Sequence, residues 1–480
     1  MNNSQVFQIV QSAIAKMASP PLSSPALLSV IRHKPELISP SQATPHELKP
    51  LSDLDDHEGL RFRFPFLFFY PNSPPIRGRE DPARVVKEAL GKALVYYYPL
   101  AGRIREGPNG KLVVDCTAEG ILFVEADANI SLEELGDSMR PPCGFVDEVL
   151  CDVAGSGGII GCPLLLVQVT RLKCGGFILG IRFNHAISDT LGLRQFLKVA
   201  AELARGAHAP SRLPVWQREI LCARDPPRAT CRHPEFEDVV DDARSAAMTL
   251  DTKNMVHRSF FFGPREVASI KKGLPHHLVS KSSTYEVLTA CLWKCRTIAL
   301  EIDPDDVVRL TCMINARGQR GLGVPPGYYG NTSVYATVLS KAGHLCSSPL
   351  GYAVELVKKA KEMVSEEYVR SSIDVLVLKG RPKYTTVWNF LVADSTKVGF
   401  EEADFGWGKP AYGGVAGALP LISFYVKYRT RKGEEGIVVP IMLPERAMRR
   451  FLEELAKMTD EGTAGDDDYG EDSTLIRSYL

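Results

Sequence analysis

Between Leu164 and Leu203 the spacing of apolar residues changes from two to about 3.6, and this switch limits the possible folds more than any other stretch of the chain. Residues 164 to 172 and 177 to 184 are apolar runs separated by Lys173-Cys174-Gly175-Gly176, the pattern of two strands joined by a hairpin turn. In the second run Phe177, Leu179, Ile181, Phe183 and His185 occupy alternate positions and share one face. Beyond it Leu193, Phe196, Leu197, Ala200 and Leu203 recur at helical spacing, and Gly206 follows as a terminator. His185 therefore stands at a strand end, with a turn and a helix start directly after it.

A chain of 480 residues exceeds what one hydrophobic core holds, so two domains are expected. From Gly206 to Pro234 there are five prolines, including Pro226-Pro227, and little periodicity, which reads as a crossover between two halves. The expected division is 1–205, a crossover over 206–234, a second domain over 235–459 and an acidic tail over 460–480. In the first half the pattern predicts a helix over 82–96, with Asp81 as N-cap and Pro82 in the first turn. The second half predicts helices over 282–298 and 445–458 and strands over 308–314, 421–427 and 437–443.

Charge and cysteine usage exclude several classes of function. With 57 basic and 57 acidic residues the chain has no electrostatic footprint for nucleic acid, and small molecules are the expected partners. The eleven cysteines include no CxxC pair and do not cluster with the ten histidines, so neither a metal site nor a disulfide framework is expected. The apolar stretch Gly158 to Val169 is shorter than the roughly 20 residues of a membrane span. The first 20 residues carry one lysine and no arginine, unlike a secretory or transit peptide, and a cytoplasmic monomer is expected. Ser478-Tyr479-Leu480 shares the outer two positions of the Ser-Lys-Leu peroxisomal address, which leaves the peroxisome as the alternative.

Three groups of residues could carry chemistry or hold it in place. Neutral imidazole has a reference pKa of about 6.5 and accepts a hydroxyl proton near neutrality, so His185 at its strand end suits a general base. Asp189 is either part of the same site or, with Ser188 as the other candidate, the N-cap of the following helix, and a lone His-x-x-x-Asp does not decide between them. Asp404-Phe405-Gly406-Trp407-Gly408 combines an acid, two aromatics and two glycines, which favours a tight structural loop over direct chemistry.

Taken together, His185-x-x-x-Asp189 and the distant Asp404-Phe-Gly-Trp-Gly make the chain resemble the BAHD acyltransferases of plants. Tyr97-Tyr98-Pro99-Leu100-Ala101-Gly102-Arg103, Asn315-Ala316-Arg317, Gly327-Tyr328-Tyr329-Gly330-Asn331 and Gly436-Ile437-Val438-Val439-Pro440 extend the likeness over almost the whole chain. The segments from Pro45 to Asp55, from Tyr368 to Pro382 and from Asp404 to Gly414 are most similar to benzyl alcohol O-benzoyltransferases and the related alcohol acyltransferases.

The resemblance implies an α/β fold of two similar chloramphenicol-acetyltransferase-like domains with mixed sheets, joined by a long crossover, with the active-site channel between them. It implies acyl-CoA as co-substrate, no permanently bound cofactor, and transfer of benzoyl from benzoyl-CoA to benzyl alcohol. Another acyl-CoA (acetyl, hydroxycinnamoyl or aliphatic), or another alcohol or an amine as acceptor, is the alternative within the family, and a non-catalytic ligand- or protein-binding relative is the alternative outside enzymes. His185 would be the base; Asp189 would pair with Arg317 or Arg320 to orient the loop. Asp404 is either structural or a further proton acceptor. Ser282, Ser283 and Thr284 either contact coenzyme A through free N–H groups at a helix start or simply cap that helix. Two positions depart from the family pattern: Thr190 follows Asp189 where glycine is usual, and Ser395 stands where relatives have tryptophan, leaving the oxyanion donor unassigned.

Overall fold

The computed structural model describes residues 28–72, 80–152, 156, 158–239, 255–418, 422–430 and 432–459. Ser478-Tyr479-Leu480, the acidic tail and the first 20 residues lie outside these. Among the described residues no helix is long and apolar enough to cross a membrane, and no cluster of His, Cys, Asp or Glu side chains could hold a metal ion.

Two large mixed sheets organise the chain. In the first, the strands lie in the order Val30–Arg32, Ile121–Ala128, Leu165–Arg171, Phe177–Asn184, Arg63–Tyr70 and Tyr412–Val415, with Glu36–Ile38 also paired to Ile121–Ala128. The two apolar runs do form an antiparallel hairpin, Leu165 opposite Phe183 and Arg171 opposite Phe177. Phe177–Asn184 and its neighbour Arg63–Tyr70 are buried at every position, because helices cover one face and the second half of the chain covers the other. The second sheet runs Met255–Phe262, Glu435–Pro444, Ile422–Arg429, Asn389–Asp394, Val307–Asn315 and Ser333–Lys341.

The helices begin where their caps allow. Asp81 accepts from the Arg84 N–H and opens Pro82–Tyr96; Asp189 accepts from the Gly192 N–H and opens Thr190–Ala204. The helix expected from residue 282 starts at Thr284, because Ser283 is extended and forms a reciprocal capping box with Glu286.

Chain order and sheet membership do not divide at the same place. Tyr412–Val415 pairs with Arg63–Tyr70 at the edge of the first sheet, and Phe400, Phe405, Trp407 and Phe424 join the first hydrophobic core. The division at 206–234 therefore separates the chain but not the packing. The halves meet closely at Gly192, where a Cβ would lie 2.1 Å from Ser188 Oγ and 2.2 Å from the Tyr329 carbonyl oxygen. Gly192→Ala should force these segments apart at a cost of roughly 1–3 kcal/mol and lower the Tm of thermal unfolding by a few degrees. An unchanged Tm would show that this contact does not hold the halves together.

Candidate active site

His185 sits one residue past the strand that carries it. Its backbone N–H donates to the Phe62 carbonyl at 2.9 Å, and its own carbonyl accepts from Asn331 Nδ2 at 2.9 Å. The ring stacks on Phe64 with centroids 5.6 Å apart and touches Phe62 and Phe183. The residue is only 6% exposed, and Nδ1 is enclosed without a partner of good hydrogen-bond geometry. Nε2 is thus the nitrogen left to meet a ligand. Burial pushes the imidazole pKa below 6.5, against the opposing pull of its own carbonyl, Asp189, Asn331 and Asp55.

Asp189 caps the following helix and also pairs with an arginine. Its Oδ1 accepts from the Gly192 N–H at 3.0 Å as N-cap. Arg317 grips the same carboxylate from the second half of the chain, Nη1 to Oδ2 at 2.7 Å and Nη2 to Oδ1 at 2.8 Å. Arg320, the other candidate partner, is exposed. Burial alone would raise the Asp189 pKa, but the Arg317 charge and hydrogen bonds overcome it and hold the carboxyl below 3.8. Thr332 N–H also donates to it at 3.2 Å, so both carboxylate oxygens are hydrogen-bonded.

A second buried carboxylate, which sequence reasoning missed, supports the other end of the loop. Asp55 is fully buried and accepts from Ser52 Oγ at 2.7 Å, Arg218 Nη1 at 3.0 Å, and Asn331 N and Nδ2 at 2.9 and 2.8 Å. Arg218 is 1% exposed, lies over the Trp216 ring at 4.3 Å, and donates through Nη2 to the Ile187 carbonyl at 2.8 Å. Asp55 and Asn331 belong to segments that carry the family likeness, yet nothing in their local pattern joins them to Arg218 in the crossover.

His185 opens on a cavity of about 330 Å³. One wall is a face of the second sheet, where Tyr335, Met313, Ala393 and Phe424 form a single cross-strand row. The opposite wall is Leu60, Phe62, Phe64 and the helix start at Thr190 and Leu191. Among the described residues that line it there is no cysteine, and Ser395 borders it in place of a tryptophan.

The remaining candidates lie elsewhere. Asp404, considered as a second proton acceptor, is absent from the lining. Its Oδ1 accepts from the N–H groups of Gly406 and Gly408 at 2.8 and 2.9 Å, closing a loop in which both glycines have positive φ, 109° and 81°. That loop packs Trp407 against Phe177, at the start of the strand that leads to His185. Eight residues of extended chain separate the two ends by about 26 Å. Of the two roles expected of Asp404, loop closure is the one these hydrogen bonds describe. Ser283 serves its helix as cap, Ser282 is buried, and neither they nor Thr284 line the cavity.

Comparison with known proteins agrees with this architecture. The Transferase family profile matches residues 28–458. Alcohol acyl transferase 1 allele GSd of Malus domestica is 54% identical over 439 residues, covering 91% of this chain and 95% of that protein. Alcohol acyltransferase 17 of Actinidia deliciosa is 55% identical over 448 residues, covering 93% and 97%. The crystal structure of vinorine synthase shares the fold with a TM-score of 0.69 at 24% identity, over 90% of this chain and 99% of that one. The profile spans nearly the whole chain and the relatives are matched over nine-tenths of their length, so the chain belongs to the Transferase family of BAHD acyltransferases.

Proposed function

We propose that the protein esterifies an alcohol with the acyl group of an acyl-CoA, and that benzoyl-CoA and benzyl alcohol are its substrates, giving benzyl benzoate and free coenzyme A. The observation that carries the reading is a buried imidazole, kept neutral by its surroundings, at the wall of a cavity lined by Phe62, Phe64 and Phe424. The three phenylalanines favour flat aromatic groups on either substrate.

In this reading both substrates occupy the cavity together. His185 Nε2 takes the hydroxyl proton while the alcohol oxygen bonds to the thioester carbonyl carbon. The C–S bond then breaks, and the imidazolium returns the proton to the departing thiolate. Asp189 and Arg317 position the loop and take no proton. The helix start at Ser282, Ser283 and Thr284, beside Lys281 and the Glu286-bound Lys358 and Lys361, suits the phosphates of coenzyme A. Lys281→Glu should raise KM for the acyl-CoA and leave KM for the alcohol unchanged; a change in the alcohol KM alone would refute that contact.

His185→Ala should lower kcat for benzyl benzoate formation by about 10² to 10⁴, and turnover equal to wild type would defeat the base assignment. Because the free base is the active form and burial lowers its pKa below 6.5, the acid limb of the kcat/KM profile should fall below pH 6.5. A limb above that value would contradict the burial argument. Asp189→Asn should act differently, lowering folded yield and Tm, since opening a buried pair costs roughly 3–5 kcal/mol. If that variant folds normally and loses only kcat, Asp189 takes part in the chemistry. A panel of benzoyl-, acetyl- and longer acyl-CoAs against benzyl and aliphatic alcohols tests the substrate pair; a clear preference for an aliphatic pair would replace it.

A further inference from the structure

At the end of the cavity marked by the edge strand Ser333–Lys341, the lining turns from apolar to hydroxylic. Tyr335 and Tyr384 meet there with ring centroids 4.2 Å apart, and both border the cavity. Behind them His57 is 1% exposed, and its Nε2 is hydrogen-bonded to the Tyr384 hydroxyl. His57 Nδ1 accepts from the Gly59 N–H at 2.9 Å. Gly59 admits no side chain, because a Cβ would lie 2.5 Å from both His57 Cε1 and Tyr384 Cε2. Tyr384 is further pinned by its stack on Phe236 at 5.3 Å and by the Thr385 N–H donating to the Glu235 carbonyl.

These contacts set the direction of a hydrogen-bond chain. Burial, then the neighbouring His185 and Arg61, push the His57 pKa down to about 3, so the ring is neutral. Since Nδ1 accepts, the single proton is on Nε2, and Nε2–H donates to the Tyr384 oxygen. The Tyr384 proton can then go only to the Tyr335 oxygen or to the cavity, and the Tyr335 proton follows the same logic. Among the described residues neither hydroxyl has another protein acceptor, so the chain ends with one O–H that the protein does not satisfy. Tyr335 lies three strand spacings, about 14 Å, from Phe424 along the cross-strand row. Phe424 is the member of that row that touches Phe64, on which His185 stacks.

We propose that Tyr384 and Tyr335, oriented by His57, form a polar specificity end that donates one hydrogen bond to an oxygen carried by the substrate away from its reacting group. Within the acyl-transfer reading, benzyl and benzoyl groups that carry an ether, hydroxyl or carbonyl oxygen on the ring are then preferred over the unsubstituted benzyl alcohol and benzoyl-CoA. This rests on the acyl-transfer reading for which substrates share the cavity. His57 is a positioning residue, since it acts only through Tyr384.

The test compares groups that differ only in that oxygen: methoxybenzyl against ethylbenzyl alcohols in the ortho, meta and para series, and methoxybenzoyl- against ethylbenzoyl-CoAs. The two arms show which substrate reaches the tyrosines. In wild type at least one methoxy compound should exceed its ethyl partner in kcat/KM by about tenfold or more, and the Tyr335→Phe/Tyr384→Phe protein should bring that ratio near one. His57→Leu should also erode the ratio and His57→Gln, which keeps a donor and an acceptor, should recover most of it. The proposal is overturned if no methoxy compound is preferred, or if the double variant keeps the ratio. Kd ratios from NMR titration of the same pairs need no turnover. A preference in binding without ester formation would therefore sink the acyl-transfer reading and leave the polar end standing.

Discussion

The loop between the strand Phe177–Asn184 and the helix Thr190–Ala204 depends on two buried carboxylates. Asp189 holds its far end to Arg317, and Asp55 collects the Arg218 and Asn331 donors that bind the carbonyls of Ile187 and His185. Each carboxylate draws donors from residues more than a hundred positions away, so the loop takes its shape only when both halves of the chain are packed. Neither pair needs to add net stability, because desolvation offsets much of the attraction. Their effect is geometric: with one partner gone the other is left buried and unpaired beside the backbone that carries His185.

That geometry matters because, among the described residues, no carboxylate holds the imidazole through Nδ1. Phe62, Phe64 and Phe183 fix the ring by contact, and burial keeps it neutral. The same apolar shell makes any charge formed during proton transfer costly unless it is short-lived. A base that receives a proton from the alcohol and returns it to the departing thiolate fits such surroundings better than one that must remain charged.

Much of this was legible in the sequence where the physics is local. The change of apolar period around His185 located the strand, the turn and the helix, and Asp81 and Asp189 caps followed from residue type. The helix start at Thr284 was displaced by two residues because Ser283 is extended to make its capping box. What could not be read was set by long-range packing. Nothing in Tyr412–Val415 indicates that it completes the first sheet. Asp55, Arg218 and Asn331 come from three separate segments, and His57 meets Tyr384 across 327 residues. Asp404 illustrates the opposite case, since its motif is conspicuous while its carboxylate only closes its own loop.

The central claim is that His185 acts as a base on an alcohol while the thioester waits in the same cavity, without a covalent acyl-protein stage. Mixing the protein with benzoyl-CoA in the absence of alcohol, and following free thiol together with intact protein mass, tests this most directly. The account predicts no stoichiometric burst of coenzyme A and no mass increase until alcohol is added. A burst accompanied by a benzoylated protein would contradict it.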